Sequence, residues 1–367
     1  MGLAWFVVQD HLPKSLDPSV YGQVRMPTSI VCKFILGVWP RWDAVHHLNL
    51  AMEGYFASSP GDSVFYPLYA TLTRFLAFDL GERYIIAGLL LSTISTVAAF
   101  MILFLLGDHI FGEETGKWAA ISLAVYPTAV FLVAPFTESL FLALTLAVIY
   151  LSYRDRWWTA AASAFLVSLT RGPGLFLALP LIILAGRQWY PNHRPTRTQA
   201  ISHLAAIAAP LVGGISFLAW RNHAGFPSMT ETLRQYTGTT FVDPVTGIIT
   251  ALRQWITVLD LPTTLDILSV LLFITITIVM VINPRWRRTE LLVYMFVNIG
   301  FFLSRRTESA ASLKSMSRYV LVLFPAFLIA GDYLKHARSV TRFLYLILSS
   351  SLLIILTALY PLWFFLG

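Results

Sequence analysis

From residue 85 onward the chain carries one apolar run after another with hardly a charge inside them, and few folds admit such a pattern. The run at 85–107 is long enough to cross the ~30 Å hydrocarbon core of a bilayer. In lipid every backbone N–H and C=O must be satisfied internally, so only helices and closed barrels span it. The runs are continuous rather than alternating, which excludes an outer-membrane barrel. With 57% hydrophobic and 12% charged residues, the chain lies far from the roughly one-quarter charged residues of a soluble domain. The class is therefore all-α, a polytopic membrane protein.

Further runs occupy 118–135, 139–153, 157–185, 200–220, 264–282, 290–303, 319–331 and 343–365. The 157–185 run is interrupted by Arg171-Gly172-Pro173-Gly174, where proline and glycine break a helix, so two short spans joined by a turn are expected. The chain reads as a single membrane domain over residues 1–367, a bundle of about 10–11 transmembrane helices. Two long mixed segments interrupt it, 10–84 with amphipathic pieces and 221–263. The first nine residues are apolar but too few to span, and Pro13 and Lys14 follow directly. No cleavable signal peptide is expected, and the first span is expected to lie upstream or to be truncated. Cys32 is the one cysteine, which excludes an intramolecular disulfide. The net charge of +7 is spread over loops between helices, a pattern that does not make a nucleic-acid face.

Lys and Arg orient the bundle. The short connections with Lys117, Arg154, Arg156, Arg187, Arg194, Arg197, Arg285, Arg287, Arg288, Lys335, Arg338 and Arg342 are assigned to the cytoplasm. The 10–84 segment, the break at Glu138, the turn at Arg171, the 221–263 segment and the 304–318 loop then share the outer face.

On that face Arg41-Trp42-Asp43-Ala44-Val45-His46-His47 concentrates a guanidinium, an indole, a carboxylate and two imidazoles. Asp43 precedes a short helical pattern ending at Gly54 and suits an N-cap; equally, a carboxylate at the membrane boundary suits a general base. Glu138 is either a first-turn acid favoured by the helix dipole or part of a site. Arg171 either ends a helix or, with Gly172 and Gly174 beside it, faces a ligand approaching closely. Arg305, Arg306, Lys314 and Arg318 run against the positive-inside trend and suit an anion, a phosphate best, unless they form a solvated loop. His46 and His47 are adjacent and so diverge on a helix, which is no metal-ligand spacing, although one of them near a substrate is expected. Tyr55, Phe56, Phe65, Tyr66 and Tyr69 form an aromatic belt. The chain has no glycine-rich phosphate cradle, no Asp-x-Asp pair and no nucleophile elbow, which argues against a nucleotide-sugar enzyme.

Trp39-Pro40-Arg41-Trp42-Asp43, Leu48-Asn49-Leu50-Ala51-Met52-Glu53-Gly54-Tyr55 and Phe65-Tyr66-Pro67-Leu68-Tyr69 together resemble the first outer loop of the PIG-V type mannosyltransferases. These are the second mannosyltransferases of glycosylphosphatidylinositol anchor assembly and their bacterial relatives. Pro135-Phe136-Thr137-Glu138-Ser139-Leu140-Phe141, Leu169-Thr170-Arg171-Gly172-Pro173-Gly174 and Ser317-Arg318-Tyr319-Val320-Leu321 recur in the family's order. The resemblance runs from about residue 39 to 330. It implies the GT-C glycosyltransferase architecture, an outward-facing site, and a sugar donor on polyprenyl or dolichyl phosphate. It makes Asp43 the catalytic base and places Arg41, Trp42, Glu138, Arg171 and Arg318 around the donor. With His46, His47, Tyr66, Lys314 and Tyr319, these complete the expected substrate-binding set. The short chain and the missing first span point to a bacterial plasma-membrane member, or to the endoplasmic reticulum if the source is eukaryotic.

Transfer from a lipid phosphate needs a base near the acceptor hydroxyl and positive charge near the departing phosphate. The expected partners are the lipid-phosphate sugar donor, a lipid-linked or glycan acceptor and membrane lipids; guanidinium groups neutralise a monophosphate, so no metal or cofactor is required. A transporter or flippase would want inverted repeats with matching broken helices, and only the Arg171 break is evident. A GT-C enzyme for another sugar or a protein acceptor, and a non-catalytic membrane subunit, remain as alternatives.

Overall fold

A computed structural model describes residues 29–189, 195–307, 313 and 315–362. Almost every described element is a helix, as the apolar runs require. Among the described residues, four helices are long and apolar enough to cross a membrane: Tyr84–Phe111, Arg197–His223, Leu261–Ile282 and the segment Ser339–Leu362. A bent pair, Met316–Val322 and Phe324–His336 at 77°, makes a fifth if taken as one span. Glu138–Tyr153 and Thr289–Leu303 are apolar but shorter.

Fewer helices reach span length than the runs predict, because hydropathy marks burial in lipid or protein alike while chain breaks decide helix length. The 118–135 run splits into Glu113–Ala124 and the single turn Val130–Val133, with Pro127 in the gap, where a helix interior would lack an N–H donor. The break expected at Arg171 is present: Trp157–Ser168 ends, a 3₁₀ turn covers Gly172–Leu177, and Ala178–Trp189 resumes.

Tyr84–Phe111 packs against Glu113–Ala124 and Glu138–Tyr153, and Trp157–Ser168 packs against Arg197–His223. Phe324–His336 lies so close to Glu113–Ala124 that a Cβ on Gly331 would sit 2.6 Å from Ala119 N and Thr115 O. Before the first span, the Asp43–Glu53 helix rests on Pro67–Asp79 and on Tyr84–Phe111. Its inward face is Ala44, Val45, Leu48 and Ala51, all buried, at the spacing of one helical stripe.

The 221–263 segment is ordered rather than a featureless loop. It contains the helices Met229–Thr237 and Pro244–Val258 and the strand Thr239–Phe241 (β1). That strand pairs antiparallel with Arg305–Thr307 (β2), Phe241 opposite Arg305 and Thr239 opposite Thr307. Three-residue strands so far apart in sequence carry no periodic signal, and the all-α reading does not contain them. Arg221, at 2% exposure, ties this segment to the earlier one by donating to the Ser63 carbonyl (2.7 Å), Ser63 Oγ (3.0 Å) and Thr232 Oγ1 (3.2 Å).

Replacing Gly331 with alanine should destabilise the protein by about 1–3 kcal/mol, since the added methyl meets backbone rather than a flexible side chain. Gly300→Ala, whose Cβ would meet nothing within 4 Å, should change stability by no more than about 1 kcal/mol and in the favourable direction. Thermal unfolding in detergent measures both.

Candidate active site

The Asp43–Glu53 helix begins on a bend. Trp42 occupies the cap position with φ 48° and ψ −125°, and its side chain makes no capping bond. Positive φ at a bulky residue is strained and persists only where the surroundings over-determine it. Here Arg41, 3% exposed, donates to the carbonyls of Gly37 (3.0 Å), Pro40 (2.8 Å) and Pro361 (3.2 Å). Tyr360 donates to the Trp39 carbonyl at 2.9 Å and meets the Trp42 ring edge-on at 5.1 Å. The end of the last helix thus clamps the turn that presents Asp43.

Asp43 is therefore not the N-cap that its position implies; it is the first helical residue, and its carboxylate accepts from Arg318 Nη2 at 2.7 Å. Arg318 is 2% exposed. Its Nε lies 3.1 Å from Glu138 Oε1, which also lies 2.6 Å from Arg171 Nη1. These two contacts are close in distance without the alignment of hydrogen bonds, and Arg318 Nη1 is buried with no acceptor among the described residues. The rings of Phe136 (5.1 Å), Phe131 (5.6 Å) and Tyr319 (5.0 Å) surround the guanidinium, giving it the cation–π contacts that stand in for water.

The turn carrying Arg318 is held from behind. Asp266, buried on Leu261–Ile282, accepts the backbone N–H of Ser315 (3.0 Å) and Ser317 (2.7 Å). Thr128 donates to the Ser317 carbonyl at 2.6 Å. Ser315 takes φ 73° there.

These groups border one cavity of about 750 Å³. Its lining comes from residues within 42–66, Thr137, and residues within 170–176, 218–241, 301–307, 313 and 315–319, close to the segments that the Lys/Arg bias assigns to one face. Trp42, Asp43, His46, His47, Tyr66, Arg171, Arg318 and Tyr319 all line it. Two expected members do not: Arg41 is spent on the carbonyls beneath, and Glu138, 1% exposed, stands behind Arg171 and Arg318. Lys314 lies outside the described residues. Arg305 joins the lining, its guanidinium 5.0 Å above the Tyr319 ring and, among the described residues, without a carboxylate partner.

His46 and His47 diverge as adjacent helical residues must, yet both reach the cavity. His46 Nδ1 lies 2.6 Å from Asp62 Oδ1, and its ring stacks on Phe65 at 5.1 Å. His47 packs between Phe65 (4.9 Å) and Tyr69 (5.2 Å). Burial works to raise the Asp43 carboxyl, but the Arg318 guanidinium, helped by His47 and His46, outweighs it and holds the group well below the carboxylate range. Burial drives His47 down to about 3 against the pull of Asp43, so its imidazole is neutral. His46 is lowered by burial and raised more by its bond to Asp62 and by the charges of Asp62 and Asp43, ending above its ordinary value. Asp62, Arg221 and Asp266 escape sequence reasoning: each is a single polar residue whose partner is set by the fold.

No family model matches the chain. GPI mannosyltransferase 2 of Cryptococcus neoformans var. neoformans is 30% identical over 154 residues, 40% of this chain and 36% of that protein. GPI alpha-1,6-mannosyltransferase 2 of Cricetulus griseus is 32% identical over 177 residues, 46% of this chain and 36% of that protein. Over these stretches the chain is similar to GPI mannosyltransferase 2 proteins. It matches only about a third of the length of each. The crystal structure of ArnT from Cupriavidus metallidurans bound to undecaprenyl phosphate aligns with a TM-score of 0.54 at 15% identity, over 94% of this chain and 60% of that one. That likeness gives the fold, a polytopic helical membrane protein.

Glu138→Ala should destabilise the protein by about 3 kcal/mol, because it removes the buried carboxylate shared by Arg171 and Arg318 and leaves Asp43 alone to balance both guanidiniums. Glu231→Ala breaks an exposed pair with Arg234 at 2.8 Å and should cost no more than about 1 kcal/mol. Thermal unfolding of the two variants side by side gives the comparison.

Proposed function

We propose that the cavity is the active site of a membrane mannosyltransferase. It moves a mannosyl residue from a polyprenyl or dolichyl phosphate to a hydroxyl of a lipid-linked or glycan acceptor, on the outer face of the membrane and, in a bacterial member, of the plasma membrane. The observation that carries this reading is that Asp43 shares one cavity with Arg171, Arg305 and Arg318. A base and the charge that receives a leaving phosphate are thereby set against each other. The mannosyltransferase relatives supply the sugar, and the ArnT structure, bound to undecaprenyl phosphate, supplies the class of lipid carrier.

In this reaction the acceptor hydroxyl gives its proton to Asp43 as its oxygen attacks the anomeric carbon. The bond from that carbon to the phosphate oxygen breaks with its electron pair going to the phosphate, and in-line displacement inverts the configuration. Arg318, Arg171 and Arg305, which line the cavity, hold the charge that develops on the phosphate.

The ion pair gives the order of events a physical basis. Arg318 is paired with Asp43 at 2.7 Å, which depresses the basicity of the carboxylate. A phosphate drawn to Arg318 shares that charge, so donor binding loosens Asp43 and makes it a better proton acceptor. Neutral His47 and the phenol of Tyr66 offer hydrogen bonds to sugar hydroxyls without adding charge.

Membranes given radiolabelled polyprenyl-phosphate mannose should pass label to a second lipid or glycan. Asp43→Asn should cut kcat by about 10²–10⁴-fold while leaving donor KM within a few fold, because Glu138 still accompanies Arg318. Arg305→Gln should act the other way, raising donor KM by about tenfold, the weight of one charge-assisted hydrogen bond. Equal loss of kcat and KM effects in both variants would contradict the division of roles.

A further inference from the structure

Asp43 and His46 are three residues apart on one helix, so they lie on the same face with their Cβ atoms about 5–6 Å apart. Both line the cavity. The His46 ring is fixed on two sides: its plane lies 18° from that of Phe65, and its Nδ1 is bonded to Asp62 at 2.6 Å. Asp62 is 1% exposed, and its second oxygen has no other partner among the described residues. The imidazole itself keeps 29% of its side-chain surface open. Nδ1 is held by Asp62, and among the described residues Nε2 has no hydrogen-bond partner. A carboxylate that binds one ring nitrogen sets the tautomer and stabilises the imidazolium that forms when the other nitrogen takes a proton.

We infer that His46, oriented by Asp62, is the terminal proton acceptor of the reaction: Asp43 takes the proton of the acceptor hydroxyl and passes it to His46 Nε2, directly or through one water. The inference rests on the glycosyl-transfer reading given above. The balance is simple. The hydroxyl oxygen bonds to the anomeric carbon, the phosphate leaves with the electron pair, and the proton moves from hydroxyl to Asp43 to His46, then to water through the open cavity. Asp43 is left ionised for the next turnover.

The direction follows from the surroundings. A carboxylate paired with Arg318 is a poor place for a proton to rest, while an imidazole beside Asp62 is a good one. The titratable groups facing His46 are Asp62 from the Pro60–Val64 turn and Asp43 and His47 from its own helix; Phe65 adds no charge. His47 cannot take the role, since burial keeps it neutral far below working pH. Asp62 is a positioning residue.

The pH profile of mannosyl transfer tests this, because Asp43 alone is ionised across pH 5–9 and gives no limb. His46 must start neutral and its folded pKa lies above 6.5, so wild-type kcat should be low on the acid side and rise as pH passes through that value. Asp62→Asn keeps an acceptor for Nδ1–H but removes the charge, so the acid limb should move to lower pH and the plateau should fall. His46→Gln should abolish the limb and lower the plateau by about 10²-fold. Imidazole added to His46→Ala should restore transfer in proportion to its unprotonated fraction, a readout available even if Asp62→Asn does not fold. A wild-type profile that is flat over this range, or a limb and plateau that survive His46→Gln, would overturn the relay and leave Asp43 as sole base. Wild-type protein that transfers no label at any pH would overturn the glycosyl-transfer reading, and the relay with it.

Discussion

A guanidinium with 2% of its surface exposed cannot stay charged unless the chain supplies what water did, and the architecture around Arg318 does so. Two carboxylates, from Asp43 and Glu138, and the faces of three aromatic rings surround it. These partners come from stretches separated by up to 275 residues, so the ion-pair cluster exists only when the Asp43–Glu53 helix, the Glu138–Tyr153 helix and the bent pair near residue 318 are all in place. Charges so desolvated add little net stability but are costly to leave unmatched. That asymmetry makes the cluster a device for register as much as for energy.

The surrounding polar contacts serve the same end. Asp266 and Thr128 hold the turn before Arg318, Arg41 and Tyr360 hold the turn before Asp43, and Arg221 joins the Pro60–Val64 turn to the Met229–Thr237 helix. Each satisfies backbone groups that a helix break or an irregular turn leaves open, which a membrane protein must do wherever its chain departs from a helix. The strain at Trp42 and Ser315 sits on the two turns that deliver the paired charges, where such strain is usually found. The lining of the cavity mixes charged groups with the rings of Phe241, Phe301 and Phe302.

Much of the site was legible before any fold was known. Asp43, Arg171 and Arg318 stood out because charge is scarce in this chain and costly near lipid, so each required a reason. The break at Gly172-Pro173-Gly174 was legible because proline and glycine act locally. Span number was less so: an apolar run does not say whether it faces lipid or protein, and breaks such as that at Pro127 turn one run into two helices. Arg41 was misplaced for a related reason. A motif gives a residue's neighbours in sequence, and its guanidinium turned out to serve the carbonyls beneath the site. The three-residue pairing of β1 with β2 left no trace, since neither strand has a pattern of its own.

The amino-acid sequence alone determined the helical membrane class and the few places where charge and chain breaks interrupt its apolar runs. These follow from composition, from periodicity and from the local action of proline and glycine. Tertiary structure alone decided that Asp43 is an ion-pair partner rather than a cap, that Glu138 lies behind the cavity, and that Asp62 orients His46. Such choices are between contacts of similar local energy, and only the placement of residues distant along the chain distinguishes them.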